Sequence, residues 1–533
     1  GDGAPDLVVN NVNDPVFIYR NNARTLDKDN HYLQVRLDGE GKNRFAVGAR
    51  VTLYGGSEQF VQELEATRGF QSSVDYVLTF GVGPCLTIDT LRVEWPDGRQ
   101  TVLNAVPTNK RITVRQAEAA TGNRASGTSA VAARSTLMED VTDVSGISWA
   151  HRENQFADFD RERLMPRMVS TEGPALAVGD VNGDGLDDIY FGGAKGQPGA
   201  LYIQQADGRF APSNTSVFAA DSASEDVAAV FFDANGDKHA DLYVVSGGNE
   251  FGELASALQD RLYLNDGHGQ FHKAEGSLPT DGASGSHVVA EDYDGDGDID
   301  LFVGGRVVPW KYGANPQSML LQNDGRGHFT DVTPRLAPEL ARVGMVTDAV
   351  WRDVDGDGRT DLVVVGEWMP ITIFRNAGGG RLTPMAAPGL EHSAGWWNRI
   401  VAGDFTGDGK VDFIVGNAGL NSRCHASATE PVTMYVNDFG HTGYAEQIVS
   451  CYNHGVSYPL VLRDELLKTV PTLKARYPTY KAYATQTVAD MFPKSELDKA
   501  ILKSAETFAT TLVRNDGGGK FTLVPLPREA QLA

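Results

Sequence analysis

The sequence predicts an all-β chain built around a β-propeller, with a small β-sandwich-like domain ahead of it and a short helical insertion near its end. Three observations predict it: an aspartate loop that recurs five times in register, apolar strands that flank each copy, and Asn-Asp-Gly hairpin turns further along several copies. The loops begin at Asp180, Asp233, Asp292, Asp353 and Asp404, so their spacings are 53, 59, 61 and 51 residues. About four strands fit in each interval, and four-stranded units repeating every ~40–50 residues mark propeller blades.

In the first copy Ala175-Leu176-Ala177-Val178 precedes the loop and Ile189-Tyr190-Phe191 follows it. The later loops are flanked by 230–232 and 242–245, 288–290 and 301–303, 350–351 and 362–365, and 400–402 and 413–415. The motif Asn-Asp-Gly-x-Gly-x-Phe at 265–271, 323–329 and 515–521 reads as a hairpin between the outer strands of a unit. Residues 20–116 alternate apolar and polar, as in Tyr32-Leu33-Gln34-Val35-Arg36-Leu37, and predict the small β domain. Residues 117–135 are rich in Ala, Ser, Gly and Thr and predict a linker. The propeller is then assigned to 136–533. Within it, Leu466, Leu467, Val470 and Leu473 have helical spacing, cut by Pro471, Pro478 and Pro493, which predicts short helices inserted at about 460–512. Residues 1–19 read as the tail end of a preceding repeat, because Asp6-Leu7-Val8-Val9 repeats the strand that follows an aspartate loop. The chain is therefore expected to be a piece of a longer precursor.

Composition narrows the function. The net charge is −23, which argues against a nucleic-acid surface and against anionic lipid. No apolar run reaches the ~18 residues of a membrane helix. Three cysteines, Cys85, Cys424 and Cys451, make no disulfide framework; Cys424 and Cys451 share one irregular region, where a pair and free thiols are both open.

The acids are concentrated in the loops, and this carries the chemistry. The five loops place oxygen-bearing residues at positions 1, 3, 5 and 9: Asp180, Asn182, Asp184 and Asp188; Asp233, Asn235, Asp237 and Asp241; Asp292, Asp294, Asp296 and Asp300; Asp353, Asp355, Asp357 and Asp361; Asp404, Thr406, Asp408 and Asp412. The backbone carbonyl at position 7 adds a further oxygen, from Leu186, His239, Asp298, Arg359 and Lys410 in turn. Calcium takes six to eight hard oxygens in flexible geometry, whereas zinc wants Cys and His, which these loops lack. About five calcium ions are expected. The start resembles an EF-hand loop, but there is no Glu at position 12 and the flanks are strands. Lys238 stands where the other loops have glycine, and Thr406 replaces a carboxylate or amide. A sixth stretch, Asp438 to Glu446, keeps the spacing with fewer ligands.

These repeats resemble the FG-GAP/VCBS repeats of integrin-α-type propellers. Ala46-Val47-Gly48-Ala49, Arg68-Gly69-Phe70-Gln71-Ser72, Phe80-Gly81-Val82-Gly83 and Trp95-Pro96-Asp97-Gly98 resemble the ASPIC/UnbV domain found beside such repeats in cartilage acidic protein and large bacterial exported proteins. The resemblance implies a seven-bladed propeller, calcium in the turn between the first two strands of each blade, and an exported or surface-attached protein. Residues after each second strand occupy equivalent places around the axis, on the face opposite the calcium turns: Lys195, Asn249, Glu250, Arg306, Glu367, Trp368, Asn417 and Asn421. With Trp310, Trp396 and Trp397 they form a candidate ligand surface; the competing reading is that they close blade-to-blade contacts.

Two functions are compatible with these features. One is a calcium-stabilised extracellular scaffold or adhesion module that binds a protein or glycan at this face, with self-association through open strand edges. The other is a propeller-based carbohydrate-active enzyme (lyase, dehydratase or hydrolase), with His151, His287, His392 and Glu367 as candidate groups; no nucleophile elbow or metal-ligating His/Cys cluster supports it.

Overall fold

In the strand His31–Asp38, Leu33, Val35 and Leu37 are buried, as strand alternation requires. This strand lies between Val77–Gly83, which it meets antiparallel, and Lys110–Arg115, which it meets parallel. A second sheet runs in the order Glu58–Glu63, Arg50–Gly55, Thr87–Glu94, Gln100–Pro107. Val51, Leu53, Leu91 and Val93 from it share one core with Leu33, Val35 and Phe80. The result is the sandwich-like domain expected from the alternation. The computed structural model describes residues 6–9, 17–22, 26, 29–67, 75–119, 140–280 and 282–531, and these fall into two compact units, 1–140 and 141–533. The linker expected at 117–135 lies, from residue 120, outside the described residues, as do Arg68–Ser72 and residues 1–5. Leu7–Val9 pairs antiparallel with Phe17–Tyr19.

Among the described residues, the second unit contains five antiparallel blades of four strands each, the fourth joined by a short fifth strand, Gly395–Trp396, beside its second strand. Their first strands are Leu176–Gly179, Asp226–Phe232, Ser284–Glu291, Met345–Arg352 and Arg399–Gly403. Their second strands are Asp188–Phe191, Asp241–Ser246, Asp300–Val307, Asp361–Met369 and Asp412–Gly416. The second strands read as unbroken apolar runs because each inner blade has a neighbour on both faces. Leu242 and Val244 pack toward blade 1, while Tyr243 and Val245 pack toward blade 3. Leu362 and Val364 likewise face blade 3, and Val363 and Val365 face blade 5. At the two ends of the series one face lacks such a neighbour: Leu176 and Val178 are 57% and 54% exposed on blade 1, and Val401 is 59% exposed on blade 5.

Two expectations are corrected. The described residues form five blades, not the seven that the resemblance implies. The chain after the fifth loop does not continue into further blades, because residues between the second strand of blade 5 and its third, Thr511–Gly517, build something else. The insertion is also larger than 460–512 and is not purely helical. It holds its own sheet, in the order Val456–Pro459, Glu446–Asn453, Val432–Asn437, Ile501–Ala505. The helix Arg463–Thr469 and three single-turn helices cover it. Val432, Met434 and Val436 alternate inward in a short strand that is easily missed beside the longer helical pattern. No helix among the described residues is long and apolar enough to cross a membrane.

Candidate metal centres and the axial residues

All five aspartate loops lie between the first and second strands of their blades, and they share one backbone turn. The carboxylate at position 1 accepts two backbone N–H groups across the loop. Asp180 takes Gly183 and Gly185 at 2.8 Å each. Asp233 takes Gly236 and Lys238, Asp292 takes Gly295 and Gly297, Asp353 takes Gly356 and Gly358, and Asp404 takes Gly407 and Gly409. Position 6 needs positive φ, which glycine adopts without cost; Gly185, Gly297, Gly358 and Gly409 have φ of 84°, 95°, 82° and 82°. Lys238 is forced to the same region at φ 69°.

Position 9 plays a part that spacing alone did not reveal. Asp188, Asp241, Asp300, Asp361 and Asp412 are completely buried. One oxygen of each accepts the backbone N–H that opens the turn after the third strand: Gln204, Asn265, Asn323, Asn376 and Asn515. The other oxygen accepts a loop N–H in four blades, from Val181, Ala234, Val354 and Thr406. In blade 3 the second oxygen, Oδ2 of Asp300, is buried with no partner. Burial, then the charges of Asp294, Asp296 and Asp292, push the Asp300 carboxyl up to about 8. Burial pushes Asp241 up to about 6.

The structure brings Asp292, Asp294 and Asp300 together with carboxylate oxygens within 4.8 Å of one another, and does the same for Asp353, Asp355 and Asp361. These two donor sets suit a hard divalent cation, and the orphaned Asp300 oxygen is the kind of group such an ion would satisfy. The third loop also carries Asp296 and Asp298 and no basic residue. The fourth is different: Arg375 reaches Asp355 at 2.6 Å and Asp357 at 2.9 Å, and Arg359 pairs with Asp357. In the fifth, Lys410 pairs with Asp408 and holds that carboxyl below its usual range. In the first, Asn182 Nδ2 donates to Asp184; in the second, Asn235 Oδ1 accepts the N–H of Asp237. The Asp438 stretch keeps the turn, with Asp438 accepting the N–H groups of Thr442 and Gly443, but it closes a hairpin of the inserted sheet.

The loops are also latched to their neighbours. The Asn that opens each outer hairpin donates Nδ2 to the carbonyl at position 2 of the preceding blade's loop: Asn265 to Val181, Asn323 to Ala234, Asn376 to Tyr293 and Asn515 to Val354. Sequence reasoning read this Asn as a turn residue; its recurrence in register with the loops was the signal available.

Most of the proposed ligand ring is buried and engaged. Asn249 donates to Asp158 and Glu162 and accepts the N–H of Trp310. Glu250 meets Asn154 and Lys195. Glu367 accepts the Tyr312 hydroxyl at 2.7 Å and pairs with Arg167 and Arg306, which hold its carboxyl below the usual range against the opposing effect of burial. Trp368 donates to Tyr312, Trp397 to the Ser393 carbonyl, and Asn417 supports the backbone of Trp396 and Thr507. Trp310 and Trp396 are half-buried, and Asn421 is exposed. Asp158, Glu162, Arg167 and Glu172 come from the segment before blade 1, where no motif announced them. His151, His287 and His392 are held by three different carboxylates, Glu153, Asp348 and Glu506. Cys424 and Cys451 are free thiols beside one another, and burial pushes Cys424 up to about 12.

No curated protein matches the chain. Among solved structures, the biofilm matrix protein Bap1 of V. cholerae is 16% identical over 52% of this chain and 37% of its own, with a TM-score of 0.25. A GH43 β-1,3-galactosidase is 8% identical over 53% and 70%, with a TM-score of 0.27. A rhamnogalacturonan lyase of Bacillus licheniformis is 14% identical over 82% and 67%, with a TM-score of 0.22. The match thus spans little more than a third of Bap1. The ASPIC and UnbV profile matches residues 39–121, and the FG-GAP-like repeat profile matches 180–244, 245–303 and 353–415, stretches that contain all five aspartate loops. The chain contains FG-GAP-like repeats with an ASPIC and UnbV domain ahead of them.

Proposed function

We propose that this chain is a calcium-binding extracellular scaffold or ligand-binding module, in which calcium fixes the turns between the first two strands of the blades. The observation that carries this reading is the acid cluster of blade 3, where Asp292, Asp294 and Asp300 converge and one buried carboxylate oxygen has no hydrogen-bond donor. A buried unpaired carboxylate costs several kcal/mol unless it is protonated or neutralised by a cation. Calcium would be held there by Asp292, Asp294, Asp296 and Asp300, and its chemical contribution is charge neutralisation and cross-linking of the loop. It would stabilise the fold by mass action, because the unfolded chain offers no such site. The three histidines put forward for catalysis are each tied to a separate carboxylate, so the enzymatic reading gains no assembled site. The test is calcium binding to the metal-stripped chain by isothermal titration, with thermal unfolding in calcium and in chelator. Stoichiometric binding with a higher midpoint supports the reading; no binding and coincident transitions remove it.

A further inference from the structure

A cavity of about 370 Å³ opens beside the first strands of four blades. Val227, Ser286, Thr347 and Asn398 line it, and each stands six residues before the first aspartate of its own loop, so they are equivalent positions around the axis. The cavity wall is polar and basic. Arg167, Arg306 and Arg399 line it, with Glu172 as its one acidic residue. Arg306 is 2% exposed; its Nε and Nη2 donate to Glu172 at 2.6 and 2.7 Å, and Nη2 also reaches Glu367 at 3.2 Å. Its Nη1 has no partner. Arg399 is exposed and makes no ion pair among the described residues. Asp348, further along the first strand of blade 4, is already taken by His287 at 2.8 Å. Three guanidiniums therefore face two carboxylates, and the buried Nη1 of Arg306 is left without an acceptor.

We propose that this axial cavity binds a carboxylate-bearing monosaccharide, a hexuronate. The carboxylate accepts from Arg306 Nη1 and from Arg399, the geometry guanidinium groups favour. The ring hydroxyls meet the remaining polar wall. Ser286 and Thr347 spend their hydroxyl protons on the carbonyls of Gly304 and Trp397, so their oxygens remain as acceptors for sugar hydroxyls. The cavity volume falls in the range of small-molecule pockets. This deepens the ligand-binding half of the proposed function. It is tested separately from the loops, since uronate titration probes the cavity and calcium titration probes the turns.

The experiment is isothermal titration of the full chain with D-galacturonate, D-glucuronate, D-galactose and inorganic sulfate, on the wild type and on Arg399→Gln. Arg399 is exposed at the cavity rim, so this variant is expected to melt with the wild type; Arg306 lies in a buried ion-pair network, and its substitution is not relied upon. The expected result is saturable binding of at least one uronate, none of galactose, and affinity lowered roughly tenfold or more in Arg399→Gln. Absence of uronate binding overturns the proposal. So does equal binding of galactose, equal binding of sulfate, or an unchanged affinity in Arg399→Gln.

Discussion

The side-chain amide of Asn515 donates to the backbone carbonyl of Val354 at 2.9 Å, across a sequence separation of 161 residues. Val354 is the second residue of the blade 4 loop, and Asn515 opens the outer hairpin of blade 5. The same relation joins Asn323 to Ala234 and Asn376 to Tyr293. Each latch ties the outer edge of one blade to the metal-candidate turn of the blade before it. The loops therefore act as joints between blades as well as turns within them.

The latch predicts a stability cost that is local in origin and distributed in effect. Asn323→Ala removes a buried amide that also donates to the Ile299 carbonyl and accepts the N–H of Gly325. Loss of such a group costs about 1–3 kcal/mol through the donors and acceptors left unpaired. Chemical denaturation should show a lower midpoint for Asn323→Ala, and hydrogen exchange should speed at the blade 2 loop as well as at the mutated hairpin.

Calcium affinity should differ among the five loops in a way set by their charges. The third loop has five aspartates at positions 1, 3, 5, 7 and 9 and no basic residue. The fourth has Arg375 and Arg359 lying on Asp355 and Asp357. A cation entering the fourth loop must displace those guanidiniums. Terbium luminescence should therefore assign the tightest site to loop 3, lost in Asp294→Asn, and Arg375→Gln should strengthen the site at loop 4.

The sequence revealed the loops because their chemistry is local. Positions 1 to 9 fall within one turn, and a repeated turn is visible in any single chain. The runs 242–245 and 362–365 were likewise legible as the strands that follow the loops; that both of their faces are buried came from the neighbouring blades. The roles of Asp158, Glu162, Arg167 and Glu172 were not legible, since each acts on a partner distant in sequence: Glu172 meets Arg306 134 residues away. The inserted sheet was missed for a similar reason. Its strand Val432–Asn437 pairs with Ile501–Ala505 on the far side of the helices, and no local pattern links them.

Lys238 breaks the repeat at a backbone position that favours glycine. Its φ of 69° is the left-handed region that glycine occupies in the other four loops. Lys238→Gly should raise the unfolding free energy by about 1 kcal/mol, because the strain on a residue with a Cβ is removed. It also removes a positive charge from the second loop, so calcium affinity there should rise. Equal stability of variant and wild type in chelator would mean the turn carries no strain.

Glu225 gives the chain a pH dependence that is independent of the loops. It is completely buried, and neither carboxylate oxygen has a partner. Burial, then the charges of Glu153, Glu250, Glu172 and Asp158, push it from 4.5 up to about 9. The folded chain therefore keeps this proton between those pH values, while the unfolded chain releases it. Its contribution to stability is complete below about pH 4.5 and declines as the pH rises toward 9. At neutral pH the cost is on the order of a few kcal/mol. Glu225→Gln has the shape of the protonated acid and no proton to lose. It should melt higher than the wild type at pH 7–8, with the gap closing as the pH is lowered toward 5. Melting curves of both proteins across this range in chelator isolate the effect from calcium; a gap that does not change with pH would show that Glu225 is already neutralised in another way.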